Sequence, residues 1–399
     1  MIEAMSEHGS GEMGLMTTSS GMSRDRLAHL QAVVEQDVES GLYYGASIKV
    51  ARHGELALDL AVGFADAERT QPIRADSVFS VFSLTKAFIN ILTLRAIELG
   101  QFALTTKMVD LIPEFAGAPR DRATIFNFLT HTTGMPSVWE AEPGMYVDRL
   151  DETVAAVCEH VHGVVEPGTR CDYSPMANHA LLGEVLRRTD PSGRTIHHIL
   201  EQDLLAPLEM TDTWLGVLPH MRARHVVPDM RGLIPVKALA HGAPGDNGLY
   251  VAESNEATWV GAASTTGDLL AVAEMLRNGG TLAGARVLSP RSISVARRNW
   301  TGELPNELYR AVALRAGYAP PPAYIGLGFN VRGTQIVRHQ LGTLTSPETF
   351  GNYGAGSAVY WVEPELDVTF VALTAGLLSQ ARNIDRFQRL ADIVVSAAL

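Results

Sequence analysis

The run VFSVFSLTKAFINILTLRAIELG, residues 78–100, decides how the rest of the chain is read. From Leu84 to Gly100 it is apolar nearly all round, the pattern of a helix buried in the protein interior, with Gly100 placed to cap its C-terminus. Into that helix it sets Lys86, one of only four lysines among 32 Lys and Arg residues. A charge there is costly unless it has a partner or a use. Ser83 stands three residues earlier, and residues three apart on a helix share a face, so the amine can reach the hydroxyl. A lysine held among apolar groups favours its neutral form and can accept the serine proton. A serine in the first helical turn also has a backbone N–H that the helix leaves unpaired, free to bind an oxyanion. The plainer alternative is that Ser83 only caps the helix, since S-x-x-K is a short motif that recurs by chance.

Towards the N-terminus, Ser23 reads as an N-cap before a helix carrying Leu27, Leu30, Val33, Val34 and Val38 at helical spacing, which stops near Gly41. The segment GASIKVARHGELALDLAVGFAD holds two apolar runs about His53-Gly54, a β-hairpin pattern. A second hairpin is expected in SAVYWVEPELDVTFVALT about Glu363-Pro364-Glu365. Helices are expected over Leu181–Arg188, Ile196–Leu205, Thr266–Arg277 (opening at Thr266 or Asp268) and Ser379–Ala398. These elements imply an α/β protein: an antiparallel sheet built from both ends of the chain and flanked by helices, with a mainly helical subdomain inserted between. Residues 1–22 are expected to be a disordered tail, 23–104 and 260–399 the α/β domain, and 105–259 the helical subdomain.

Two further segments carry candidate chemistry. EPGTRCDYSPMANHALLGEVLRR places Tyr173 at the mouth of a helix after a Pro-Gly turn. A tyrosine there can shuttle protons if a nearby cation lowers its pKa, or it can simply pack its ring with its hydroxyl wet. FGNYGAGSAVYWVEP gathers three glycines just before a strong strand, which lets a ligand or a second backbone approach closely. An ordinary glycine-rich loop reads the same way.

Hydrophobic residues make up 46% of the chain and charged residues 19%, the balance of a globular protein with a sizeable core. The net charge of -12 disfavours nucleic acid as a partner. No apolar run of about 18 residues signals a membrane span, and MIEAMSEHGSGEMGLMTTSSGM lacks the basic and apolar parts of a secretory signal. Cys158 and Cys171 have no metal spacing and no disulfide framework, which fits a reducing, cytoplasmic setting. No H-E-x-x-H is present, and His197 and His198 point to different helix faces, so neither metal nor cofactor is expected. His131, in THTTG, has no G-x-S-x-G elbow to pair with and is read as structural. The oligomeric state stays open.

FSVFSLTKAF, DLIPEF, NFLTHTTGMP, the Tyr173 segment, LLAPLEMTDTW, GAASTTGDLLAVAEMLRNGG, LSPRSI, IGLGFNVRG and FGNYGAGSAVYWVEPE follow one another in an order that resembles the serine β-lactamase and penicillin-recognising family. The likeness is greatest to its class C-like branch of carboxylesterases, D-aminopeptidases, nylon-oligomer hydrolases and lovastatin-type acyltransferases. It implies a β-lactamase/transpeptidase-like fold. It also implies that Ser83 is the acylated serine, Lys86 its partner, and Tyr173 the tyrosine of a Tyr-x-Asn motif. Asn352, Tyr353 and Gly354 fall on the third motif, and Ala355 supplies the second oxyanion N–H beside that of Ser83. Two positions depart from the pattern. Pro175 replaces the motif asparagine, for which Asn178 is a candidate substitute, and Asn352 stands where a cation or histidine is common. Both departures remove groups that bind β-lactams, and no deacylating glutamate motif is found. The implied function is therefore a hydrolase of small-molecule esters or amides, or a transacylase passing the acyl group to an amine or alcohol. β-Lactamase or D-aminopeptidase activity, and a non-catalytic binding protein, are the alternatives.

Overall fold

Side-chain alternation along the late strands sets the layers of the molecule. In Ala358–Glu363 and Val368–Ala375, residues Ala358, Tyr360, Val362, Val371 and Leu373 enter one apolar cluster, while Val359, Trp361, Val368 and Phe370 enter another. A sheet buried on both faces follows from this alternation. The computed structural model describes residues 17–229 and 250–399. Its main sheet has six antiparallel strands in the order Glu55–Gly63, Gly45–Arg52, Val368–Ala375, Ala358–Glu363, Phe350–Gly354, Asn330–Val331. The first hairpin turns at His53 and Gly54, both at positive φ (55° and 79°), as a tight two-residue turn requires.

One face of the sheet is covered by the helices Arg24–Glu39 and Gln380–Ser396, through Leu27, Leu30 and Val34 from the first and Phe387, Leu390 and Val394 from the second. Ser23 caps the first of these by accepting from the Arg26 N–H. The expected tail needs a correction at its end. Residues 1–16 lie outside the described residues, but Met22 is fully buried in this layer and bridges Ala398.

The other face carries Thr266–Arg277, capped by Thr265, and the Thr85–Glu98 helix, in which eleven of fourteen residues are buried. The stretch between residues 105 and 259 is built mainly of short helices, with Leu150–His160 and Ala177–Thr189 the longest. Residues 230–249 of it lie outside the described residues. The expected Ile196–Leu205 helix is α-helical only to Leu200 and then widens over Glu201–Leu205, before Pro207 removes a backbone donor. The stretch is tied to the rest by a small sheet in the order Trp214–Leu215, Ala262–Ser264, Val78–Ser80, His225–Val226. Its Leu129, Leu181 and Val185 share a core with Phe88 and Leu92 of the buried helix.

The glycine-rich segment is a strand as far as Gly354, followed by a turn over residues 355–357 that contains Gly356. A Cβ at Gly351 would meet the Tyr360 carbonyl at 2.1 Å, and one at Gly354 the Val81 carbonyl at 2.1 Å. The close approach anticipated for these glycines is made by backbone, and it presses the end of Phe350–Gly354 against the turn that carries Ser83.

Candidate active site

Ser83 sits in a single 3₁₀ turn, Phe82–Leu84, that leads into the Thr85–Glu98 helix. Phe82 holds φ at +49°, a strained value for a bulky residue. The turn is held in that shape from both sides: the Val81 N–H donates to the Ala262 carbonyl at 2.9 Å, and the Thr85 hydroxyl accepts from the Ala262 N–H at 3.0 Å.

Lys86 is 3% exposed. Its Nζ lies 3.2 Å from Ser83 Oγ, 2.9 Å from the Pro175 carbonyl and 2.7 Å from the Trp259 carbonyl. Burial holds its pKa well below the ordinary 10.5. The backbone of Pro175 thus reaches the amine at the position where the asparagine side chain of the family pattern is missing.

Tyr173 is placed by its own backbone. Its N–H donates to Asn306 Oδ1 at 3.2 Å, and its carbonyl accepts from the Ser137 hydroxyl at 2.5 Å. Its hydroxyl bonds to Ser83, and its ring centroid lies 5.2 Å from Lys86 Nζ. Burial, with a smaller push from Tyr309, raises its pKa, and the bond to Ser83 only partly offsets this. A cation lowering the phenol was the expectation. Here the neighbouring lysine is itself driven toward its neutral form, so the phenol keeps its proton.

The His131 ring packs against Tyr173 at a tilt of 36° with centroids 4.8 Å apart, and its Nδ1 accepts from the Ser174 N–H at 3.1 Å. Burial lowers its pKa to about 3, so it is a neutral ring that shapes the turn before Tyr173.

Ser83, Tyr173, Tyr353, Gly354 and Ala355 line one cavity of about 650 Å³. A smaller chamber of about 20 Å³ behind it is bounded by Ser83, Lys86, His131, Tyr173, His179 and Asn352, among others. Two expected binding residues need correction. Asn178 is fully buried in the first turn of Ala177–Thr189 and turns inward, where its Nδ2 donates to the Phe128 carbonyl at 3.1 Å. It lines neither cavity, because the helical phase points it under His131 and not toward Ser83. Asn352 borders the small chamber, but both ends of its amide are engaged within the protein. Nδ2 donates to the Gly328 carbonyl at 2.9 Å, and Oδ1 accepts from the Tyr360 hydroxyl at 3.0 Å. It shapes the chamber wall and does not reach into the larger cavity.

Two features of the site were not anticipated from the sequence: the Trp259 carbonyl, and Tyr309, whose ring stacks on Tyr173 at 5.8 Å and 23°. Tyr309 belongs to the helix Glu307–Ala316, which the spacing of Leu308, Val312 and Ala316 could have revealed. Among the described residues no cluster of three or more His, Cys, Asp or Glu side chains could hold a metal ion, and no helix is long and apolar enough to cross a membrane. Cys158 and Cys171 are both buried and unbridged.

An antiparallel sheet between helical layers, with Ser83, Lys86 and Tyr173 meeting at its edge, defines a β-lactamase/transpeptidase-like protein. The Beta-lactamase family pattern matches residues 30–394, and the chain belongs to that family. Esterase EstB of Burkholderia gladioli is 37% identical over 128 residues, 31% of this chain and 32% of that one. A penicillin-binding protein homologue from Caulobacter crescentus is similar in structure, with a TM-score of 0.73 at 24% identity over 94% of this chain and 99% of its own. EstCE1, a hydrolase with promiscuous acyltransferase activity, superposes with a TM-score of 0.72 at 20% identity over 93% of this chain and 98% of its own.

Proposed function

We propose that this protein is a serine acyl-transfer enzyme acting on small-molecule esters or amides through an acyl-Ser83 intermediate. The observation that carries the reading is the hydrogen-bond count at Lys86. The Pro175 and Trp259 carbonyls can only accept, so they take two N–H bonds of the amine. A neutral amine then has one lone pair left, and the remaining neighbour is Ser83 Oγ. Burial favours that neutral form. The Ser83 proton passes to Lys86 as Oγ attacks the substrate carbonyl, and the new C–O bond gives a tetrahedral oxyanion held by the backbone N–H groups of Ser83 and Ala355. Collapse breaks the bond to the leaving group, which takes the Tyr173 phenol proton, and Lys86 returns a proton to Tyr173.

The second half repeats this relay with water, an alcohol or an amine as the incoming group. Among the described residues no acidic side chain lines either cavity, so activation of that group falls to Tyr173 and Lys86. The likeness to EstB supports the ester reading. Acyl transfer is kept as a second reading because the cavity of about 650 Å³ has room for an acceptor beside the acyl group. Intact-mass analysis tests the proposal. The wild-type chain should gain one acyl group from an activated ester, Ser83→Ala should gain none, and an effective amine or alcohol acceptor should hasten loss of the adduct. Stoichiometric acylation of Ser83→Ala would overturn it.

A further inference from the structure

We infer that the larger cavity takes substrates with an apolar body ending in a carboxylate remote from the reacting carbonyl, and that Arg315 binds that carboxylate. This rests on the acyl-transfer reading and specifies its substrate class.

Three observations converge on it. The first is the wall. Along Glu307–Ala316, Leu308, Val312, Arg315 and Ala316 recur on one helical face, and all four line the cavity. Ala313 is the only buried residue of this helix, so its apolar stripe faces open space and not the core. Trp139, 54% exposed, lines the same space together with Leu377 and Leu378. Apolar surface arranged in this way around an open volume is stabilised when an apolar ligand covers it.

The second is charge. Among the described residues, Arg315 is the one charged side chain that lines the cavity, and the other polar side chains there are neutral. The Arg315 Nε donates to the Ala311 carbonyl at 3.1 Å, and among the described residues no carboxylate pairs with its guanidinium. Neighbouring arginines behave differently: Arg310 pairs with Glu307, and Arg338 pairs with Asp385. The terminal N–H groups of Arg315 form a planar fork suited to a carboxylate.

The third is spacing. Tyr309 stacks on Tyr173, so the start of the helix abuts the reacting centre. Arg315 follows six residues later, about 9 Å further along the helix axis at a rise of about 1.5 Å per residue. A carboxylate held by Arg315 is therefore separated from the scissile carbonyl by the length of an apolar chain.

Three p-nitrophenyl esters of equal chain length test this with the full protein: the octanoate, the half-ester of suberate and the ω-amino-octanoate. Arg315 is exposed, so initial p-nitrophenol release should favour the suberate half-ester over the ω-amino ester by about fivefold or more in kcat/KM, the scale expected when one exposed ion pair replaces a like-charge contact. Arg315→Gln should bring that ratio close to one, and Arg315→Glu should invert it. Equal rates for the two charged esters in the wild type, or a preference that survives in Arg315→Gln, would overturn the inference while acylation of Ser83 stood. If none of the three esters is cleaved, the acyl-transfer reading fails, and this assignment of substrate fails with it.

Discussion

Lys49 and Lys86 are both withdrawn from water, at 9% and 3% exposure, yet their surroundings differ in kind. Lys49 lies in the Gly45–Arg52 strand directly opposite Asp59 of its partner strand, and its amine is 2.5 Å from that carboxylate. Lys86 meets two backbone carbonyls and a hydroxyl, and among the described residues no carboxylate lies within ion-pairing distance. A full counter-charge favours the ammonium, whereas carbonyl dipoles in a dry site leave desolvation in command and favour the amine. Burial by itself does not make a lysine a base. What decides is whether the surroundings supply an anion.

The largest effect is expected from forcing the Lys86 site to hold a fixed charge. Arg at this position cannot give up its proton, so Lys86→Arg should lower kcat/KM for an activated ester by roughly four orders of magnitude or more. In the wild-type protein kcat/KM should rise with pH as Lys86 loses its proton, with a half-point well below 10.5. Turnover near wild type in Lys86→Arg, or a half-point at 10.5 itself, would break the contrast with Lys49.

A smaller loss, of about two to four orders of magnitude in turnover, is expected for Tyr173→Phe. That change keeps the ring between His131 and Tyr309 and removes only the hydroxyl. A melting temperature close to wild type with this loss of rate would separate proton transfer from packing, and unchanged rates would leave Lys86 to act alone.

The smallest effect belongs to the ion pair. Asp59 is 38% exposed, so solvent screens its pairing with Lys49. Lys49→Met should shift unfolding stability by about 1 kcal/mol or less, with ester turnover retained. A loss of several kcal/mol in a denaturant titration would show that Lys49 holds up the fold.

Legibility followed locality. The Ser83–Lys86 relation could be read because both residues lie within one helical turn, where spacing dictates direction. The two hairpins and the first and last helices were legible from caps, turns and apolar periods for the same reason. Asn178 was misplaced because its role depends on where helix Ala177–Thr189 begins: with the helix starting at Ala177, the side chain turns toward the Phe128 carbonyl. The glycine-rich segment was ambiguous because Gly351 and Gly354 make room for backbones remote in sequence, the Tyr360 and Val81 carbonyls.

The sequence alone determined that a serine and a lysine would share a helical face in an apolar helix, and that strands from both ends of the chain would form the sheet. What surrounds that lysine is set by long-range packing. The Pro175 and Trp259 carbonyls come from segments far apart in the chain. Every residue but proline has the same N–H and C=O groups, so no residue type announces which carbonyl will face Nζ. The Tyr309 ring over Tyr173 and the Arg315 side chain in the cavity likewise depend on how Glu307–Ala316 docks beside the Tyr173 turn, a contact set by packing across more than a hundred residues of chain.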